Sequence, residues 1–262
     1  MEGETKLPPG AHQSFARVLQ QKQRVKENLS GIKHKIGVYS AKGGVGKTTV
    51  AINLAYALSS RGLRVGLLDA DIDCPNVTMF LGMDERMDPH APLKPPAKEG
   101  VKVVSTAMLV DEVKKPIIWR GPLISKMVSD FLEHTDWGEL DYLVIDLPPG
   151  SSEVPLTTMQ LLDLDGFIIV TTPQKIAGIN SIRSGLMAKR LGAHILGIVE
   201  NMSDGRPSGS TEEVARYLGA ELLGCIKKDE RFNTSSDSGI VPVLAYEDLK
   251  DGFDEVVNRL LP

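Results

Sequence analysis

Apolar and polar positions along this chain fall into short blocks that change period. Lys35-Ile-Gly-Val-Tyr39 is short, apolar and β-prone, and Val50 to Ser59 is rich in Ala and Leu at helical spacing. The alternation repeats downstream. Strands are predicted at Arg64–Leu68, Val101–Thr106, Tyr142–Asp146, Gly166–Thr171, Ile195–Val199 and Glu221–Ile226. Helices are predicted at 47–60, Pro75–Leu81, Leu123–His134, 153–163, Ile176–Leu191, Thr211–Leu218, 229–238 and Tyr246–Leu261. Ser210 is the predicted cap of the Thr211 helix and Asp73 that of the Pro75 helix. Residues 84–100, with prolines at 89, 92, 95 and 96, read as an irregular loop. Strand–helix alternation with about seven strands implies an α/β fold, a doubly wound and mostly parallel sheet with helices on both faces.

Ahead of this pattern, residues 1–31 read as an N-terminal extension. An unstructured lead runs to residue 13, followed by a weakly amphipathic helix, Ser14 to Leu29, lying on the outside of the domain. Residues 32–262 read as a single domain.

The chemistry concentrates in one turn between the first strand and the first long helix, Lys42-Gly43-Gly44-Val45-Gly46-Lys47-Thr48-Thr49. Glycines let backbone N–H groups close around phosphate oxygens, and the helix N-terminus adds positive dipole. Lys47 is then a cation for the β- and γ-phosphates and Thr48 a hydroxyl ligand for Mg²⁺.

Three strand ends add polar groups on the same sheet edge, where open α/β sheets bind ligands. The second strand ends in Asp69-Ala70-Asp71. Asp71 would orient a water or hold Mg²⁺ through one; a cap or loop charge is the alternative. Tyr142-Leu-Val-Ile-Asp146 reads as a Walker B strand whose aspartate holds the Mg²⁺ shell, and Gly150 follows in the next loop. Asn201 reads either as an adenine contact or as a turn-forming residue. Trp119 reads as packing more readily than interface, and Arg120 as an ion-pair partner or part of the nucleotide edge.

Composition narrows the class. The net charge of −4 and the absence of long basic runs argue against non-specific nucleic-acid binding. No apolar run approaches the ~20 residues of a membrane span, so a cytoplasmic protein without membrane attachment is expected. The two cysteines, Cys74 and Cys225, form no Cys-x-x-Cys pair and no disulfide framework. Cys225, within Leu-Leu-Gly-Cys-Ile, reads as a small core hydrophobe.

The lysine at position 42 resembles the deviant Walker A loop of the MinD, ParA and nitrogenase iron protein superfamily. A closer likeness is carried by Trp119-Arg-Gly-Pro122, Trp137-Gly-Glu-Leu-Asp-Tyr142, Asp146-Leu-Pro-Pro-Gly150, Val170-Thr-Thr-Pro-Gln174 and Val199-Glu-Asn-Met-Ser203. Together these resemble the Mrp/ApbC family of P-loop ATPases over about residues 32–243. The resemblance implies a homodimer that binds and hydrolyses ATP with Mg²⁺ and passes iron–sulfur clusters to apo-proteins. It makes Lys42 the lysine that reaches the partner's nucleotide, Lys47 the phosphate lysine and Thr48 the Mg²⁺ ligand. It puts Asp71 in the first switch, Asp146 in the second and Asn201 at the base.

One departure bears on function. Family members usually carry a Cys-x-x-Cys pair soon after the Glu-Asn-Met-Ser string, and such pairs bridge a cluster between protomers. Here that segment is Asp204-Gly-Arg-Pro-Ser-Gly-Ser210, without cysteine. Asn180 also stands where family members commonly have Asp. A Cys74 from each protomer is one substitute ligand source. The other readings are a regulatory nucleotide switch that pairs with a cysteine-bearing paralogue, and a MinD- or ParA-like positioning ATPase.

Overall fold

A computed structural model describes residues 20–21, 23–72, 74–88, 93–109, 131–150, 164–190 and 192–261. The expectations for Asp73, Trp119, Arg120, helix 153–163 and most of the Leu123–His134 helix lie outside these residues. Residues 131–134 are helical.

Among the described residues the sheet has eight strands, where about seven are expected, ordered β3-β4-β2-β5-β1-β6-β7-β8. These are β1 (Ile32–Tyr39), β2 (Val65–Asp69), β3 (Ala97–Lys98), β4 (Val101–Ser105), β5 (Leu140–Asp146), β6 (Gly166–Thr171), β7 (Ile195–Ser203) and β8 (Leu222–Lys227). All pairings are parallel except β3 with β4. The extra strand sits inside the stretch expected to be irregular. It is a two-residue arm of a hairpin whose turn, Glu99-Gly100, has φ of 46° and 84°. Positive φ at both turn positions matches the twist of a tight hairpin.

The helices are α1 (Lys47–Ser59), α2 (Val77–Leu81), α3 (Lys175–Arg190), α4 (Gly209–Leu218), α5 (Arg231–Asp237), α6 (Pro242–Ala245) and α7 (Glu247–Leu260). They cover both faces of the sheet. Residues of α1, α2, α5, α6 and α7 join one core with Val38, Leu67, Val103 and Val144. Residues of α3 and α4 join the other with Tyr39, Leu68, Leu143 and Phe167. Strands β2 and β6 are buried along their whole length, as expected of parallel strands with helices on both faces. Val25 and Leu29 enter the second core at 1 % and 2 % exposure, and the Asn28 amide donates to the carbonyls of Leu132 and Thr135. The end of the predicted N-terminal helix is therefore packed into the domain, because its two apolar residues four apart share one face.

Two boundaries differ from the sequence reading for physical reasons. β7 continues through Glu200-Asn-Met-Ser203, with register shifts against β8. The cap of α4 is Ser208 rather than Ser210: its Oγ accepts from the N–H of Thr211, and the helix starts at Gly209. For α2 the cap position is Asn76, which makes no side-chain cap.

Candidate functional site

Strand β1 lies at the centre of the sheet, between β5 and β6. Chain connections leave it in opposite directions, toward β2 on one side and later toward β6, β7 and β8 on the other. That makes its carboxyl end the topological switch point, where a crevice opens in this class of sheet. The loop 40–46 sits there and runs directly into α1.

The loop is built by two left-handed glycines, Gly44 at φ 80° and Gly46 at φ 79°. A Cβ on Gly43 or Gly44 would meet nothing within 4 Å, so the space over this part of the loop is open. Gly46 is different. A Cβ there would collide with Asn201 Nδ2, so a side chain could enter only by displacing that amide. Asn201 in turn donates from Nδ2 to the carbonyl of Val45 at 2.8 Å. The Ser40 hydroxyl donates to the carbonyl of Lys42, and the loop's far side is held by Gly150 N–H donating to Ser40 O. Thr49 lies in the first turn of α1; its carbonyl accepts from Asn53 Nδ2, whose Oδ1 accepts from Val243 N–H. The phosphate-loop helix is thus tied to α6.

Lys47, Thr48 and Asp146 meet. Lys47 Nζ lies 2.5 Å from Asp146 Oδ1, and Thr48 Oγ1 donates to Asp146 Oδ2 at 2.7 Å. The pair is deeply buried, Lys47 at 6 % and Asp146 at 1 % exposure. The register β2–β5 places Asp69 directly beside Asp146. Burial first, and the Asp146 carboxylate second, push the Asp69 carboxyl up to about 7.

Asp69 is the residue that sequence reasoning passed over in favour of Asp71. Its Oδ1 accepts from Asp71 N–H, and its Oδ2 from Val77 N–H and from the Ser105 hydroxyl. It thereby holds both ends of the segment 71–77. The signal was available: Asp69 is the last residue of a buried strand, and Asp146 ends another. Asp71 is also buried, and its Oδ1 accepts from Cys74 N–H at 3.3 Å. Lys42 is exposed and makes no salt bridge among the described residues.

The oxygen donors Thr48 Oγ1 and Asp146 Oδ2 suit a hard divalent cation such as Mg²⁺. The open glycine loop, Lys47 and the amino end of α1 suit a chain of phosphates. Cys74 is exposed and Cys225 half-buried on β8, where burial pushes its thiol up to about 11. The expectation of a core cysteine at 225 is corrected accordingly, since β8 is the edge strand of the sheet. Among the described residues no group of three or more His, Cys, Asp or Glu side chains is placed to hold a metal. The loop 204–208 instead ends on a carboxylate: Glu200 Oε2 accepts from Ser208 N–H at 3.0 Å and from its hydroxyl at 2.5 Å. Among the described residues no helix is long and apolar enough to cross a membrane.

An iron-sulfur cluster carrier protein of Methanocaldococcus jannaschii is 42 % identical over 261 residues, covering 92 % of this chain and 89 % of the relative. One from Aquifex aeolicus is 40 % identical over 243 residues, covering 87 % of this chain and 67 % of the relative. Among solved structures, a nucleotide-binding protein from Archaeoglobus fulgidus in complex with ADP matches with a TM-score of 0.72 and 35 % identity, over 84 % of this chain and 92 % of that one. The septum site-determining protein MinD of Pyrococcus horikoshii, complexed with Mg-ADP, shares the fold with a TM-score of 0.67 at 24 % identity, over 87 % and 95 % of the two chains. The model of the ParA family described as NUBPL iron-transfer P-loop NTPase matches residues 31–261, from the start of β1 to the end of α7, and the chain belongs to that family.

Proposed function

We propose that this chain binds and hydrolyses ATP as a homodimer of the Mrp type, acting in the cytosol in iron–sulfur cluster assembly or transfer to apo-proteins. The convergence of Lys47 and Thr48 on the Asp146 carboxylate, under an open glycine loop, carries this reading. Mg²⁺, when bound, would neutralise charge on the phosphates; Thr48 Oγ1 and Asp146 are the residues to hold it. Lys47 would hold the β- and γ-phosphate oxygens, giving up its contact with Asp146 Oδ1. Backbone N–H groups of Gly43, Gly44, Val45 and Gly46 would cradle the phosphates, with Thr48 and Thr49 at the amino end of α1. Asp71 would orient the attacking water. Because its carboxylate also takes the Cys74 N–H, a change at the phosphates would reach the segment 72–76. Lys42, exposed beside the loop, would reach the nucleotide of the partner protomer.

The cluster itself is cargo. The relatives named as cluster carriers supply that part of the reading, while the cysteine-free loop 204–208 of this chain favours a second arrangement. In that arrangement a cysteine-bearing paralogue supplies the thiolates and this chain the nucleotide switch. Anaerobic reconstitution with iron and sulfide, with Mg-dependent phosphate release measured in parallel, tests both. Phosphate release without cluster uptake, and co-purification with a cysteine-rich relative, supports the second arrangement. A stable cluster lost in Cys74→Ser supports a cluster-loaded homodimer. Absence of phosphate release with and without such a partner contradicts the ATPase reading.

A further inference from the structure

Among the described residues only two that are not glycine have positive φ, Glu99 and Met202. Glu99 is explained by its hairpin turn. Met202, at φ 55°, lies inside β7, where no turn requires it. A left-handed conformation at a residue with a side chain costs about 1–2 kcal/mol and persists only where its surroundings impose it. The distortion coincides with the register shift of β7 against β8 between Glu200 and Ser203.

Its consequence is where the thioether ends up. In a regular strand Asn201 and Met202 would point to opposite faces of the sheet. Here both reach the phosphate loop at the same residue. The Asn201 amide occupies the space of a Gly46 Cβ, and Met202 Cε lies 3.6 Å from that same position. Asn201 is nearly buried and turned back onto the Val45 carbonyl. Met202 is 42 % exposed, an apolar side chain at the rim of an otherwise polar and charged crevice.

We propose that Met202 is a positioning and specificity residue of the nucleotide site, its thioether forming the apolar surface against which the base rests. The inference depends on the nucleotide reading above and deepens it. A flexible, polarisable thioether suits the face of a heteroaromatic ring, and such sulfur–aromatic contacts contribute about 0.3–1.5 kcal/mol. The strained backbone is then the means of turning that side chain toward the loop.

Met202→Gly tests this, because glycine relieves the positive φ while removing the thioether. The expected result is a melting temperature equal to or above that of the parent protein, with Mg-ATP affinity weaker by about fivefold, within the range of a sulfur–ring contact. Affinity for inorganic tripolyphosphate, which has no base, should be unchanged, and Met202→Leu should retain most of the ATP affinity. Equal ATP affinity in the parent and in Met202→Gly would overturn the inference and leave the nucleotide reading standing. Equal losses toward ATP and tripolyphosphate would overturn it too, since the effect would then be on the phosphate loop. A parent protein that binds neither compound would overturn the nucleotide reading and this inference with it.

Discussion

Replacing Lys47 by alanine removes the only cation in hydrogen-bond contact with Asp146 among the described residues. The pair is at 2.5 Å, with both groups shielded from water. Breaking a buried ion pair by deleting one partner typically costs about 3–5 kcal/mol, because the remaining charge is left in a poor solvent. Here the remaining carboxylate also faces Asp69 in direct register. At about 2–4 °C per kcal/mol for a domain of this size, the nucleotide-free Lys47→Ala protein should melt about 6–20 °C lower at pH 8. The deficit has a definite pH dependence. Without the lysine, whose charge lowers it, the Asp69 carboxyl rises further above its unfolded value, so the folded protein binds a proton that the unfolded chain releases. Stability is therefore lost as pH rises through that raised value, and the deficit should shrink toward pH 5.5. Lys47→Ala/Asp146→Asn should recover most of the loss, since the stranded charge is gone. Neither variant should show the stabilisation by Mg-ATP expected of the parent, about 2.7 kcal/mol at a hundredfold excess over the dissociation constant. Differential scanning fluorimetry across pH, with and without Mg-ATP, reads every arm. Melting within about 2 °C of the parent at pH 8, or an intact ATP-induced shift in Lys47→Ala, would refute the reasoning.

Three other outcomes follow from local geometry. Ser208→Ala removes the α4 cap and a hydroxyl on the Glu200 carboxylate, and urea denaturation should show a loss of about 2–4 kcal/mol; a loss below 0.5 would contradict the anchoring role given to Glu200. Iodoacetamide at pH 8 should modify exposed Cys74 well before half-buried Cys225, whose thiol burial pushes up to about 11; mass spectrometry of partially labelled protein checks the order. The Arg64 side chain and backbone N–H, with Lys33, hold the Asp141 carboxyl far below its ordinary value. Its stabilising effect is present above the unfolded carboxyl value and lost as pH falls below about 4, so Asp141→Asn should flatten the acid limb of the stability curve.

The buried strands were the most legible elements. β2, β5 and β6 read as continuous apolar runs because helices cover both faces, and β6 falls at Gly166–Thr171 as expected. What escaped was what sequence period cannot carry. β3 is too short to show alternation and hides among prolines. Ser208 and Ser210 are equally good caps in sequence, and the choice between them rests on Glu200, which reaches the loop from the neighbouring strand. The phosphate loop was legible as spacing. That Lys47 and Thr48 both rest on Asp146 was not, since it depends on β5 lying next to β1. Asp69 was missed because its importance comes from register with a strand far along the chain. Met202 gave no signal at all: a positive φ at methionine is invisible in composition and spacing.

The most direct test of the account is calorimetric titration of the purified protein with ATP, with and without Mg²⁺, beside Lys47→Ala. The account predicts a saturable Mg-dependent isotherm in the parent protein that disappears in the variant. Absence of ATP binding in the parent, or unchanged binding in Lys47→Ala, would contradict it.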